Sequence, residues 1–108
     1  MEQPQYSIDT NTVIDYLGKK LPDSGMAFMN SVIDAVPVLS VITKIEVLGF
    51  KAPAESYQLL VSFMNDASII ALTDAIVDTS ISVRMTHKTK LPDAIIAATA
   101  LVHGLTII

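Results

Sequence analysis

Leu91-Pro92-Asp93-Ala94-Ile95-Ile96-Ala97-Ala98-Thr99-Ala100-Leu101-Val102-His103-Gly104-Leu105-Thr106-Ile107-Ile108 closes the chain, and Asp93 is its one acid. Pro92 suits the first turn of a helix, where its missing N–H removes no bond, and Gly104 suits the left-handed position that ends one. Between Ala94 and Val102 every residue except Thr99 is apolar. A helix without a polar face belongs in an interior, so the rest of the chain is expected to pack around it. An acid at its start meets the positive end of the helix dipole, which stabilises the carboxylate by roughly 0.3–1 kcal/mol. That effect alone accounts for Asp93, so a helix-start role and a functional role both stand open at this point.

The 108 residues predict a single domain over 1–108 with room for one active site. An apolar content of 51% excludes a disordered chain. No apolar run approaches the roughly 18–20 residues needed to span a bilayer. Glu2-Gln3-Pro4-Gln5 stands where a secretory signal would place its basic and apolar regions, and a cytoplasmic protein is expected. The absence of cysteine removes disulfides, thiolate metal sites and cysteine nucleophiles, so any metal must be held by carboxylates or the two histidines. A net charge of −4 argues against a dedicated duplex-DNA binder, which must neutralise many phosphates. It leaves a nuclease open, because a bound cation reverses the local field.

Read in order, Gln5-Tyr6-Ser7-Ile8 is a short strand that delivers Asp9, and Thr10-Asn11-Thr12 is cap and turn chemistry before a helix from Val13. Leu21-Pro22-Asp23-Ser24-Gly25 reads as a loop, and 26–36 as a helix with apolar residues at 26, 29, 32, 33 and 36. Residues 36–40 read as a second strand and Ser40 as the cap of a helix over 41–50. On that helix Glu46 stands beside Ile42 and Ile45, which predicts that it borders the core. A helix from about Ala52 to Asn65 should bury Tyr57, Leu60, Val61 and Met64. Ser68-Ile69-Ile70-Ala71-Leu72 has the length of a buried strand, Thr73-Asp74 caps a helix to about Thr86, and 106–108 forms a last strand. The methionines at 26, 29, 64 and 85 read as core or dimer-interface packing.

The order β-α-α-β-α-α-β-α-α-β predicts an α/β fold, a parallel sheet in three layers with helices on both faces. Ligands of such sheets bind beyond the carboxyl ends of the strands. Asp9 falls at that edge, with Glu46 and Asp93 on helices close to strand ends, so the three acids are expected to converge. Two carboxylates about 5 Å apart repel by roughly 3 kcal/mol at an effective dielectric near 20, and a divalent cation relieves this. Oxygen-only ligands select hard ions, Mg²⁺ or Mn²⁺. The matching reaction is phosphodiester hydrolysis, in which the metal activates water and neutralises phosphate charge. Asn11 and Thr12 are candidates for orienting the ligands from behind, with helix capping as the plain alternative. Asp15, Asp34, Asp66, Asp74 and Asp78 read as solvated or capping residues.

Asp9-Thr10-Asn11 after an apolar strand, Ser40-Val41-Ile42-Thr43-Lys44-Ile45-Glu46-Val47-Leu48-Gly49 in the middle, and Leu91-Pro92-Asp93-Ala94-Ile95-Ile96-Ala97-Ala98-Thr99-Ala100 near the end resemble the three motifs of the PIN domain. The nearest likeness is to VapC-like ribonuclease toxins of toxin–antitoxin pairs, and it covers essentially the whole chain. The resemblance implies a Mg²⁺- or Mn²⁺-dependent endoribonuclease with Asp9, Glu46 and Asp93 as catalytic and metal-binding acids. It further implies an RNA substrate, a cognate antitoxin partner and a homodimer. The family usually adds a fourth acid in a Thr-Arg-Asn-like stretch roughly 18–20 residues beyond the position of Asp93. The sequence ends at Ile108, which predicts a C-terminally truncated form lacking the last part of the usual fold, with weakened metal binding. Two alternatives remain beside it: a catalytically impaired PIN-like binding or dimerisation module, and a haloacid dehalogenase-type phosphatase suggested by Asp9-Thr10-Asn11-Thr12-Val13.

Overall fold

The computed structural model describes residues 5–108. The polar opening Glu2-Gln3-Pro4 that argued against a secretory signal lies outside them. Ten elements follow in the expected order: β1 (Tyr6–Ser7), α1 (Thr10–Leu17), α2 (Asp23–Asp34), β2 (Val38–Ser40), α3 (Val41–Leu48), α4 (Ala54–Asp66), β3 (Ser68–Ile70), α5 (Asp74–Thr86), α6 (Leu91–His103) and β4 (Thr106–Ile107). The strands form one sheet in the order β3-β2-β1-β4. Every pairing is parallel, with Ser7 opposite Val38 and Ile107, and Leu39 opposite Ile69.

The pleat divides the core in two. Ile69 packs against a cluster that includes Ile8, directly after β1, and Val13, Met29, Leu39 and Met64 of α1, α2, β2 and α4. Its neighbour Ile70 points the other way and packs with Ile76, Ile95 and Ala98 of α5 and α6. Successive strand residues face opposite sides of a sheet, so helices cover both faces, as the three-layer reading requires. Helix α3 joins the layers, since its Val47 belongs to the first cluster and its Ile42 packs on the second.

Several boundaries differ from the expected ones for local reasons. Thr10-Asn11-Thr12 is the first turn of α1 rather than a connection, with Asp9 in the extended N-cap position. Helix α2 begins at Asp23, because Pro22 supplies the N-cap conformation and Asp23 complements the dipole in the first turn. The cap of α5 is Thr73, whose hydroxyl accepts from the Ile76 N–H at 3.3 Å, and Asp74 lies inside the first turn. Phe63, passed over in the sequence, is buried on α4 beside Leu60 and Met64.

Helix α6 is the central strut for most of its length, with Ala94, Ile95, Ile96, Ala98, Thr99 and Ala100 buried. Thr99 is satisfied internally, its hydroxyl donating to the Ile95 carbonyl at 2.7 Å. The expectation of complete burial fails at the ends, where Leu91 is 53% and Leu101 67% exposed. Helix α5 covers one side of α6 and the sheet another, and neither reaches the outer side of its terminal turns. Gly104 ends the helix at φ 64°, ψ 39°, as its place in the sequence predicts.

Candidate active site

In a parallel sheet all strands end at one edge, and the helix that leads back into a strand must start at that edge. Asp9 follows β1 directly and α3 follows β2 directly, and α6, which returns to β4, starts at Leu91. Asp9, Glu46 and Asp93 are thereby all placed at or near the carboxyl edge by the topology.

Their local settings differ. Asp9 is half-buried at the N-cap of α1, yet its carboxylate caps no N–H there, unlike the hydroxyls of Ser40 and Thr73 on their own helices. Glu46 is exposed rather than bordering the core, because α3 turns it toward α1. There its Oε1 accepts a hydrogen bond from the Thr10 hydroxyl at 2.7 Å. This bond ties the second acid to the residue adjoining the first. Asp93, in the first turn of α6, is exposed.

The structure ties Glu46 to Thr10, the residue that follows Asp9, without drawing Asp9, Glu46 and Asp93 into one ligand shell. Among the described residues no group of three or more His, Cys, Asp or Glu side chains is gathered closely enough to hold a metal ion. Asn11 is exposed and Thr12 half-buried in the first turn of α1. Neither caps that helix, and no side-chain hydrogen bond among the described residues joins either to an acid. Thr10 is the contact the sequence reading missed. It looked like turn chemistry, and only the approach of α1 to α3 shows what its hydroxyl meets.

A surface depression lies elsewhere. It is lined by Tyr6, Phe28, Val36, Pro37 and His103 around the strands' amino ends, and Tyr6 and Phe28 meet edge to face at 5.5 Å. None of the three acids lines it.

An all-parallel sheet with helices on both faces and acids along its carboxyl edge defines a three-layer α/β protein with an acidic candidate site. The chain belongs to the PIN domain family, whose model matches residues 6–108. Among solved structures, a chain of a toxin–antitoxin complex from Klebsiella pneumoniae is 29% identical, with a TM-score of 0.75 over 95% of this chain and 83% of that one. A chain of DNA-bound VapBC from Salmonella typhimurium superposes with a TM-score of 0.81 at 18% identity, over 97% of this chain and 85% of that one. A chain of FitAcB from Neisseria gonorrhoeae gives 0.74 at 24% identity, over 95% and 85%. The last two likenesses concern the fold alone. No curated protein matches the chain.

Proposed function

We propose that the protein is a divalent-cation-dependent endoribonuclease of the toxin type, with Asp9, Glu46 and Asp93 as its catalytic and metal-binding acids. The observation that carries this reading is the Asp9–Glu46 neighbourhood: a half-buried carboxylate not spent on capping its helix, beside a second one held by Thr10. Family membership and the 29% identity to a chain of a toxin–antitoxin complex support it.

The donor set fits a hard cation in kind. It consists of carboxylate oxygens in a protein without cysteine, the chemistry that suits Mg²⁺ or Mn²⁺. Glu46 and Asp93 are exposed on rotatable stems, whereas Asp9 is held half-buried, so Asp9 is the fixed ligand and the others adjust to it. When bound, the ion supplies an activated water and charge neutralisation at the phosphate. The chain's own part is to present the carboxylates and, through Thr10, to keep Glu46 directed toward Asp9.

The reading includes a cognate antitoxin as partner and a homodimer. Val77, Ile81 and Met85, at a spacing of four residues along α5, are all exposed and supply an apolar row for association. A second reading, a PIN-like binding module without catalysis, is favoured by one observation, that no three-carboxylate cluster is gathered among the described residues. Membership of the PIN family removes the basis for the phosphatase alternative.

Purified protein should cleave single-stranded RNA with Mg²⁺ or Mn²⁺ and not with EDTA. Asp9→Ala and Asp93→Asn should each abolish cleavage, and Asp66→Asn should retain it. Cleavage that survives both site substitutions refutes the site. Antitoxin binding without cleavage by the unaltered protein selects the binding module.

A further inference from the structure

Most buried hydroxyls in this chain have a visible partner. Ser40 accepts from the Ile42 N–H, Ser80 donates to the Ile76 carbonyl at 2.7 Å, and Thr99 donates to the Ile95 carbonyl. Among the described residues, Ser7 Oγ and Thr43 Oγ1 are buried without one. Thr43 is fully buried on a helix, where a threonine hydroxyl ordinarily returns to the carbonyl one turn back, as Thr99 does. A buried donor left free costs stability, so its persistence asks for a partner outside the described contacts.

The place of Thr43 on α3 indicates which partner. Around the helix the order is Ile42, Glu46, Thr43, Val47, within an arc of about 140°. Ile42 at one end of the arc packs toward α5 and α6, and Val47 at the other packs with the core of α1, α2 and α4. Glu46, between them, reaches Thr10 at the start of α1. Thr43, also between them and one turn nearer the end of β2, therefore faces the seam where α1 and α3 begin. The neighbouring acid in that seam is Asp9, whose carboxylate is not engaged in capping. A free buried donor and an uncommitted half-buried acceptor thus share one seam.

We infer that Thr43 is a positioning residue of the acidic site, whose hydroxyl donates to the Asp9 carboxylate in the cation-loaded protein and fixes that carboxylate's orientation. The inference rests on the proposed metal site. A carboxylate that ligates a metal is ordinarily held from behind by a hydrogen bond, and removal of such a support lowers metal affinity about 10–100-fold.

Mn²⁺ titration calorimetry, with thermal midpoints in EDTA, tests it. Thr43→Val keeps the shape of the side chain and removes the donor. It should weaken Mn²⁺ binding at least about 10-fold while the EDTA midpoint stays level or rises, because an unpaired buried hydroxyl has gone. Thr43→Ser should restore most of the affinity, and Ser7→Ala should leave it unchanged. Should Thr43→Val fail to fold, Thr43→Ala read against Thr43→Ser gives the same contrast. Wild-type affinity in Thr43→Val, failure of serine to rescue, or an EDTA midpoint several degrees lower in Thr43→Val overturns the inference and assigns Thr43 to packing. A wild-type protein that binds no Mn²⁺ overturns the proposed metal site as well, which separates the two failures.

Discussion

Val36 holds φ at 64° and is 59% exposed, although it is β-branched and the left-handed region crowds its Cβ. It follows Ala35, the C-cap of α2, whereas Gly104, also at φ 64°, is itself the C-cap of α6. The two sites make opposite predictions. Val36→Gly should stabilise the protein by about 1 kcal/mol through relief of backbone strain. Gly104→Ala should cost about 1 kcal/mol for the same reason, with Gly104→Asn costing less. A Cβ at Gly104 would meet nothing within 4 Å, so the backbone alone sets that cost. Urea denaturation of the three variants checks both signs. Gly104 was legible in the sequence because glycine advertises the conformation it permits. Val36 was not, since its apolar, β-branched side chain fits both the helix over 26–36 and the strand over 36–40 to whose shared boundary the sequence assigns it, and only the turn between α2 and Pro37 shows the strain.

Helix α6 carries the contrast between pattern and packing. Its composition predicted burial all round, and its central residues are buried, with Ala98 fully enclosed against α5 and the sheet. Ala98→Leu should therefore overpack that seam and destabilise the protein by roughly 1–3 kcal/mol. Leu101→Gln, on the same helix but 67% exposed, should change stability by no more than about 0.5 kcal/mol. Thermal and urea unfolding of the pair measure the difference. An apolar run cannot report which of its residues a neighbouring helix reaches. That depends on the length of α5 and the direction in which the loop over 87–90 turns the chain back.

For the molecule as a whole, the proposed function makes cation binding at the acidic residues a contribution to folding stability. A cation that binds the native chain alone stabilises it by about 2.7 kcal/mol at one hundred times its dissociation constant. Unfolding in Mn²⁺ and in EDTA should differ by an amount of this order in the unaltered protein and by nothing in Asp9→Asn. Association belongs to the same scale. Ile81, at the centre of the exposed row on α5, is 53% exposed, and Ile81→Glu should reduce the mass measured by light scattering from dimer to monomer without lowering helix content. A wild-type protein that is monomeric at high concentration removes the homodimer from the proposed function.

The sequence by itself determined the alternation of strands and helices, the parallel sheet, the cap at Ser40 and the stop at Gly104, because each follows from local periodicity and side-chain chemistry. Through its three motifs it also pointed to the PIN family and nominated Asp9, Glu46 and Asp93. Only the tertiary structure decided that Thr10 meets Glu46, that Glu46 is exposed, that Thr43 is buried with no partner among the described residues and that the three acids are not gathered into one cluster there. Those facts depend on how α1, α3 and α6 approach one another, and the contacts between Thr10 and Glu46 span 36 residues of chain. A spacing along the sequence carries no measure of such a distance, since packing across the sheet sets it.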